Sequence, residues 1–463
     1  MTTNLASDQN AHVFPSDFIF GAATASYQTE GAVNEDGRGM SIWDTFCATP
    51  GKIYRGDNGD IACDAYHRTA EDLDLLKNLN LNGYRFSIAW PRILPEGTGA
   101  INQKGIDYYN RIIDGLLERN ISPAATIYHW DLPQPLQDKG GWINRDTAEY
   151  LADYAGICAD AFGDRVEQFI TINEPQIVSR LGYRIGVHAP GIADPIQGGI
   201  ATHHILLAHG LAAQAIKASR NGAKPVGITI DLTDVVALDD SAKEEAAQID
   251  MEVNGLYLDP VVLGSYPNIR RQEMLPPEDV IMDGDMKIIS TNIDFLGVNY
   301  YQPHIIKTIS QEGIKFNEFA YDYHPTVIGV RPDAMPVTAM GWLVDPTGLE
   351  RILHKVSALT NLPIYITENG CVVNDYTDPS GNIHDHERIS YLEGHLMSCW
   401  RAIEAGINLK GYYHWSLLDN FEWAEGYSKR FGLVYVDFPT GKRTPKDSAL
   451  FYAKVAKSKT LSA

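Results

Sequence analysis

Two short stretches carry the residues best suited to chemistry: Thr171-Ile172-Asn173-Glu174-Pro175 and Ile366-Thr367-Glu368-Asn369-Gly370. Each follows an apolar run, and each sets one glutamate where that run ends. Two carboxylates brought to opposite sides of one bond can break a glycosidic linkage. They lie far apart in sequence, so no local element holds both. Only a closed or wound tertiary structure can bring them together.

The elements that must position them alternate along the chain. Apolar runs at 18–22, 83–88, 123–128, 168–172, 226–230, 295–299, 364–367 and 411–415 read as short strands buried on both faces, the pattern of a parallel sheet. Amphipathic stretches separate them. Leu151, Tyr154, Ala155, Cys158, Ala161 and Phe162 recur at helical spacing before Gly163. Leu349, Ile352, Leu353, Val356 and Leu359 do the same, with Thr347 and Glu350 reading as a capping box. A third stripe, Ile389, Leu392, Leu396, Trp400 and Ile403, ends before Gly406. Eight strands with intervening helices and no linker predict an α/β chain folded as a single-domain (β/α)₈ TIM barrel with long loops after the strands. An open doubly wound sheet would show a Gly-rich phosphate turn, and the sequence has neither that turn nor a P-loop. The expected organisation is a flexible leader at 1–13, a catalytic domain at 14–455 and a tail at 456–463.

Composition bounds the partners. The 463 residues are 44% hydrophobic and 21% charged, enough apolar material for a large core. A net charge of −21 argues against nucleic acid and anionic membranes. No apolar stretch has the length of a membrane helix, and the first residues lack the basic and apolar blocks of a secretory signal. Five scattered cysteines fit reduced thiols in a cytoplasm better than a disulfide framework. The sequence leaves a homo-oligomer open.

Polar residues gather just after the strand runs: His129, Trp130 and Asp131; Asn173 and Glu174; Asn299, Tyr300 and Tyr301; Glu368 and Asn369; Trp415, with Glu422 and Trp423 beyond. In a barrel these ends share one rim, where active sites sit. Aromatic faces there (Trp130, Tyr301, Trp342, Trp415, Trp423) suit the C–H faces of a sugar. Gln28, His129, Asn173 and Glu422 suit its hydroxyls. Such a pocket rejects ligands lacking those hydroxyls, because its buried polar groups would go unpaired.

Several ordered blocks extend the pattern. They include Phe20-Gly21-Ala-Ala-Thr-Ala-Ser-Tyr-Gln28, Ser41-Ile-Trp-Asp44, Tyr84-Arg85-Phe-Ser-Ile-Ala-Trp90, Tyr128-His-Trp-Asp-Leu-Pro133, Gly297-Val-Asn-Tyr-Tyr301, Trp415-Ser-Leu-Leu-Asp-Asn-Phe-Glu-Trp423, Arg430-Phe-Gly-Leu-Val-Tyr-Val-Asp437 and Arg443-Thr-Pro445. On these the chain resembles glycoside hydrolase family 1 from Phe14 to about Tyr452. The resemblance implies a retaining β-glucosidase acting on a small-molecule β-glycoside or oligosaccharide. It makes Glu368 the nucleophile and Glu174 the general acid and then base. Arg85 and Tyr301 resemble the pair that keeps the nucleophile ionised and oriented. Asn173 resembles the ligand of the sugar 2-hydroxyl. Gln28, His129, Glu422 and Trp423 resemble the clamp on the nonreducing sugar, with Asn299, Trp415 and Phe431 lining the same subsite. Trp342 resembles the platform under the leaving group. Glu422 further implies unphosphorylated substrates, because a carboxylate beside the sugar 6-hydroxyl repels a 6-phosphate. Gln176 departs from the aromatic residue common after Asn-Glu-Pro, which bears on the leaving group.

Other readings stay open on the residues alone. A β-galactosidase or β-fucosidase differs in the orientation of one hydroxyl, which residue types do not resolve. A transglycosylase would pass the sugar to an acceptor other than water. A sugar-binding protein without turnover would be expected to lack one carboxylate, and both are present. His384-Asp385-His386-Glu387 opens a helix, where the acids serve as anionic capping. His203-His204 has no third ligand in sequence. No metal and no cofactor is expected.

Overall fold

The computed structural model describes residues 11–221, 224–309, 318–320 and 327–462. Eight strands close into a parallel barrel. They are β1 Ile19–Ala23, β2 Gly83–Ser87, β3 Ser122–Tyr128, β4 Gln168–Asn173, β5 Val226–Asp231, β6 Phe295–Asn299, β7 Ile364–Asn369 and β8 Leu409–Trp415. Each pairs with its neighbours in chain order. β8 then closes on β1 in register, from Gly411 opposite Ile19 to Trp415 opposite Ala23. All eight apolar runs are therefore barrel strands. β4, β5 and β7 run past the ends of their apolar stretches, so Asn173, Asp231 and Glu368 belong to the ladders themselves.

Helices follow the strands around the outside: α1 Thr69–Asn78, α2 Gln103–Glu118, α3 Asp146–Phe162, α4 Pro195–Lys217, α5 Asp285–Ile289, α6 Pro346–Leu359, α7 His386–Glu404 and α8 Asp447–Ser458. Leu151, Tyr154, Ala155 and Cys158 of α3 are fully buried, as their spacing requires. Burying a side chain such as Leu151 contributes about 1.5–3 kcal/mol. Gly297 in β6 admits no larger residue. A Cβ there would lie 2.4 Å from Thr229 Oγ1 and 2.8 Å from Thr367 Cγ2, and those threonines meet across the barrel interior at 3.1 Å.

Two helix starts differ from the sequence reading. The cap of α6 is Asp345, whose carboxylate accepts from Thr347 N at 3.0 Å, with Pro346 opening the helix. Thr347 is thus capped rather than capping, and the cap lies two residues earlier, with Pro346 at the first helical position. At α7, Asp385 makes no capping bond. Its carboxylate instead accepts from Ser448 N and pairs with Arg388, tying α7 to α8.

The expected leader and tail boundaries also fall inside paired structure. His12–Val13 forms an antiparallel pair with Thr460–Leu461, and α8 runs on to Ser458. Ladder hydrogen bonds thus hold the two segments to each other. Residues 1–10 of the expected leader lie outside the described residues. Long segments after β5 and β6 build a separate sheet in which Pro303–Thr308 pairs with Asp234–Ala237 and Val327–Val330. Among the described residues no helix is long and apolar enough to cross a membrane. All five cysteines are buried and unpaired.

Candidate active site

The barrel strands end at one cavity of about 570 Å³. Of the residues the sequence singled out, Glu174, Glu368, Tyr301, His129, Trp130, Trp342, Trp415, Glu422, Trp423 and Phe431 line it. Register breaks interrupt β4 between Ile170 and Asn173 and β7 between Ile366 and Glu368. An irregular pairing locally twists a strand and re-aims its side chains. Here it occurs beside each carboxylate.

Glu368 is held at both oxygens. Arg85 Nη1 donates to Oε1 at 2.5 Å, and the Tyr301 hydroxyl donates to Oε2 at 2.7 Å. Arg85 is fully buried in β2 and also donates to Asn173 Oδ1 at 2.7 Å and to Thr126 Oγ1 at 3.1 Å. Asn299 Nδ2 donates to the same Asn173 oxygen at 3.2 Å and to Glu174 Oε1 at 2.6 Å. A continuous run of hydrogen bonds thus links the two carboxylates through Arg85, Asn173 and Asn299.

The two carboxyls differ in their surroundings. Burial raises the affinity of Glu174 for its proton far above the ordinary range, and the charges of Glu368 and Asp231 raise it further. Burial raises Glu368 too, but the Arg85 charge and the Tyr301 hydrogen bond oppose it. When the pair carries one proton, it therefore resides on Glu174 and Glu368 is the ion.

Four predicted residues stand behind the cavity wall. Arg85, Asn173 and Asn299 form the run just described. Gln28 donates to Phe421 O at 2.9 Å and to Asn420 Oδ1 at 3.2 Å, bracing the loop that carries Glu422, while its Oε1 is buried without a protein partner. Asn299, expected to line the sugar subsite, holds the Glu174 carboxylate and accepts from Thr367 Oγ1 at 2.8 Å. His129 Nε2 meets Asn173 Nδ2 at 3.1 Å, and its Nδ1 is buried without a protein partner. Burial and the Arg85 charge hold His129 neutral.

Aromatic rings build one side of the cavity. Trp423 lies 4.7 Å from Trp130 and 4.4 Å from the buried Trp43, between ring centres. Trp342 lies 5.4 Å from Tyr301 and 5.9 Å from Phe431. Gln176 is buried behind the wall, where its Nε2 donates to Asp231 O at 2.5 Å.

The cavity also contains residues that the sequence reading passed over: Asp231, Arg180, His188, Gln302 and His304. Asp231 ends β5, so the strand-end rule that found Glu174 could have found it. Arg180 and His188 lie on and just after the π-helical turn Val178–Ile185, which carries no comparable strand-end signal. His203 bonds Asp285 and Tyr266, and His384 bonds Asp447 and Asp378. Among the described residues no group of three acidic, histidine or cysteine side chains could hold a metal ion.

Known proteins match this arrangement across the whole chain. The family model described as Glycosyl hydrolase family 1 matches residues 10–461. Beta-glucosidase A of Thermotoga maritima is 48% identical over 98% of this chain and 99% of its own length. A bifunctional beta-D-glucosidase/beta-D-fucosidase of Bifidobacterium breve is 43% identical over 96% of this chain and 98% of its own. The solved family 1 β-glucosidase of Thermotoga maritima in complex with isofagomine lactam superposes with a TM-score of 0.89 at 46% identity, covering 98% of this chain and 100% of that one. Sequence, barrel and paired carboxylates agree: the chain belongs to glycosyl hydrolase family 1.

Proposed function

We propose that the protein is a retaining β-glucosidase that removes terminal nonreducing β-D-glucosyl residues from unphosphorylated β-glucosides and cello-oligosaccharides. The observation that carries this reading is the hydrogen-bonded run from Glu368 through Arg85, Asn173 and Asn299 to Glu174. It leaves one carboxylate ionised and its neighbour protonated across a single cavity.

The chemistry follows as a double displacement. Glu368 attacks the anomeric carbon while Glu174 gives its proton to the departing oxygen. The aglycone leaves as an alcohol, and Glu368 becomes a neutral ester. Its charge, which helped keep the proton on Glu174, is then gone. The ionised Glu174 takes a proton from water as that water attacks the same carbon from the opposite face. Sugar leaves with its β configuration restored, and both carboxyls return to their starting states. Every atom and proton balances without a cofactor.

The sugar's hydroxyls meet Gln28 Oε1, His129 Nδ1 and Glu422, and its ring faces Trp415 and Trp423. Trp342 lies toward the leaving group. Burial, with the charges of Glu368 and Glu425, pushes Glu422 up to about 8. In its ionised form this carboxyl repels a phosphate dianion. The name of the Bifidobacterium breve relative supports a β-fucoside side activity. The barrel and its paired terminal segments serve as one catalytic domain, and five buried thiols fit a cytoplasmic protein.

Glu368→Gly tests the reading. The variant should lose hydrolysis, and added azide should restore turnover of an aryl β-glucoside to give the α-glucosyl azide. Recovery of the β-azide instead would overturn the nucleophile assignment.

A further inference from the structure

One half-buried acid at the cavity has no part in the double displacement. Asp231 is the last residue of β5 and lies opposite Asn299 in the ladder. Thr229, two residues earlier and therefore on the same face of the strand, points its hydroxyl into the barrel at Thr367. Asp231 accordingly faces the mouth, where it lines the same cavity as Glu174 and Glu368. Its backbone is fastened on both sides of Glu174. Glu174 N donates to Thr229 O at 2.9 Å, and Gln176 Nε2 donates to Asp231 O at 2.5 Å. This accounts for Gln176: it braces the end of β5 rather than facing the aglycone.

We propose that Asp231 is a positioning residue for the acid step, a third carboxylate whose negative charge keeps the proton on Glu174 as the solution turns alkaline. The proposal deepens the acid–base reading of Glu174 and rests on it. The groups facing Glu174 are Glu368 from β7, Asp231 from β5, Arg85 from β2 and the Asn299 amide from β6. Those facing Asp231 are Glu174, Glu368 and Arg180. Burial and the Glu368 charge raise Asp231 to about 7, against the opposing charge of Arg180. Asp231 thus becomes fully charged only above neutrality. There its repulsion opposes a second negative charge on Glu174, and the acid form persists to higher pH.

The sign is fixed by the charge. Asp231→Asn removes the repulsion, so Glu174 should ionise at lower pH. The alkaline limb of kcat/KM on a β-glucoside with a poor leaving group should then move acidward, by about half a unit or more. Asp231→Glu keeps the charge and should leave that limb near its original position. If Asp231→Asn fails to fold, Asp231→Ser supplies the neutral variant. An alkaline limb unmoved by a neutral variant, or moved equally by Asp231→Glu, would overturn the proposal. The underlying acid role is read separately, from the leaving-group dependence of Glu174→Ala. If that dependence appears while the limb stays in place, Asp231 alone is misassigned.

Discussion

Glu174 adopts φ of 50°, a left-handed conformation that side-chain-bearing residues seldom occupy. Trp130 and Trp423 share that feature at φ of 78° and 50°. Each such residue costs about 1–3 kcal/mol, which surrounding contacts must offset. At Glu174 the offset comes from Thr229 O, which accepts its N–H, and from Asn299 on its carboxylate. The turn ends β4 and starts the short helix Pro175–Ile177, leaving the carboxyl at the rim. Replacing Glu174 with alanine should separate substrates by leaving group. Turnover of alkyl glucosides or cellobiose should fall about 10²–10⁴-fold, while 2,4-dinitrophenyl glucoside should lose far less in the glycosylation step. Comparing kcat/KM across a series of aglycones measures this. Equal losses throughout would argue against an acid.

The cavity wall depends on how neighbouring elements are pinned. Lys446, just before α8, is wholly buried and donates to Asp375 at 2.6 Å and Asp419 at 2.7 Å. Arg388 of α7 pairs with Asp375 and Asp385, and Arg430 pairs with Asp419 at 2.7 Å. This cluster joins the segments after β7 and β8 to two outer helices. Next along those segments stand Glu422, Trp423 and Phe431. Removing one partner from a buried charge cluster costs about 3–5 kcal/mol, because it strands the others. Lys446→Met should therefore lower the midpoint of denaturant unfolding by a corresponding amount. It should also raise KM more than it lowers kcat, since the loosened wall holds sugar rather than reacting groups. Unchanged stability would show that the cluster contributes nothing net.

Across the whole molecule the site works against stability. Glu422 is half-buried at the cavity wall, with its proton affinity raised to about 8, whereas an unfolded glutamate titrates near about 4.3. Between those values the folded state binds the extra proton, so stability falls as pH rises through the window. Glu422→Gln removes that loss. Its thermal midpoint should lie above the parent's at pH 8–9, and the gap should close as pH approaches 4. Sugar binding should weaken at the same time. A variant no more stable than the parent at alkaline pH would show that Glu422 is solvated in the folded protein. The Glu368–Arg85–Asn173 run has no such freedom to change, because it spans three barrel strands and each substitution leaves a buried partner exposed to a void.

The sequence by itself determined the barrel and most of the cavity. Eight apolar runs separated by amphipathic stretches can bury themselves only in a few ways, and placing polar residues after each run sends them to one rim. Glu174, Glu368, His129 and Trp415 were legible for that reason. What the tertiary structure alone decided was which polar residues face the sugar and which stand behind it. Asn299 looks like a sugar ligand in one dimension but spends its hydrogen bonds on Asn173, Glu174 and Thr367. Gln176 turns away to hold β5, and Asp231 turns inward. The caps of α6 and α7 were misread because a proline and a helix-to-helix tie outrank local capping rules. Side-chain direction at a strand end depends on register breaks and cross-strand partners distant in sequence, so no local pattern records it.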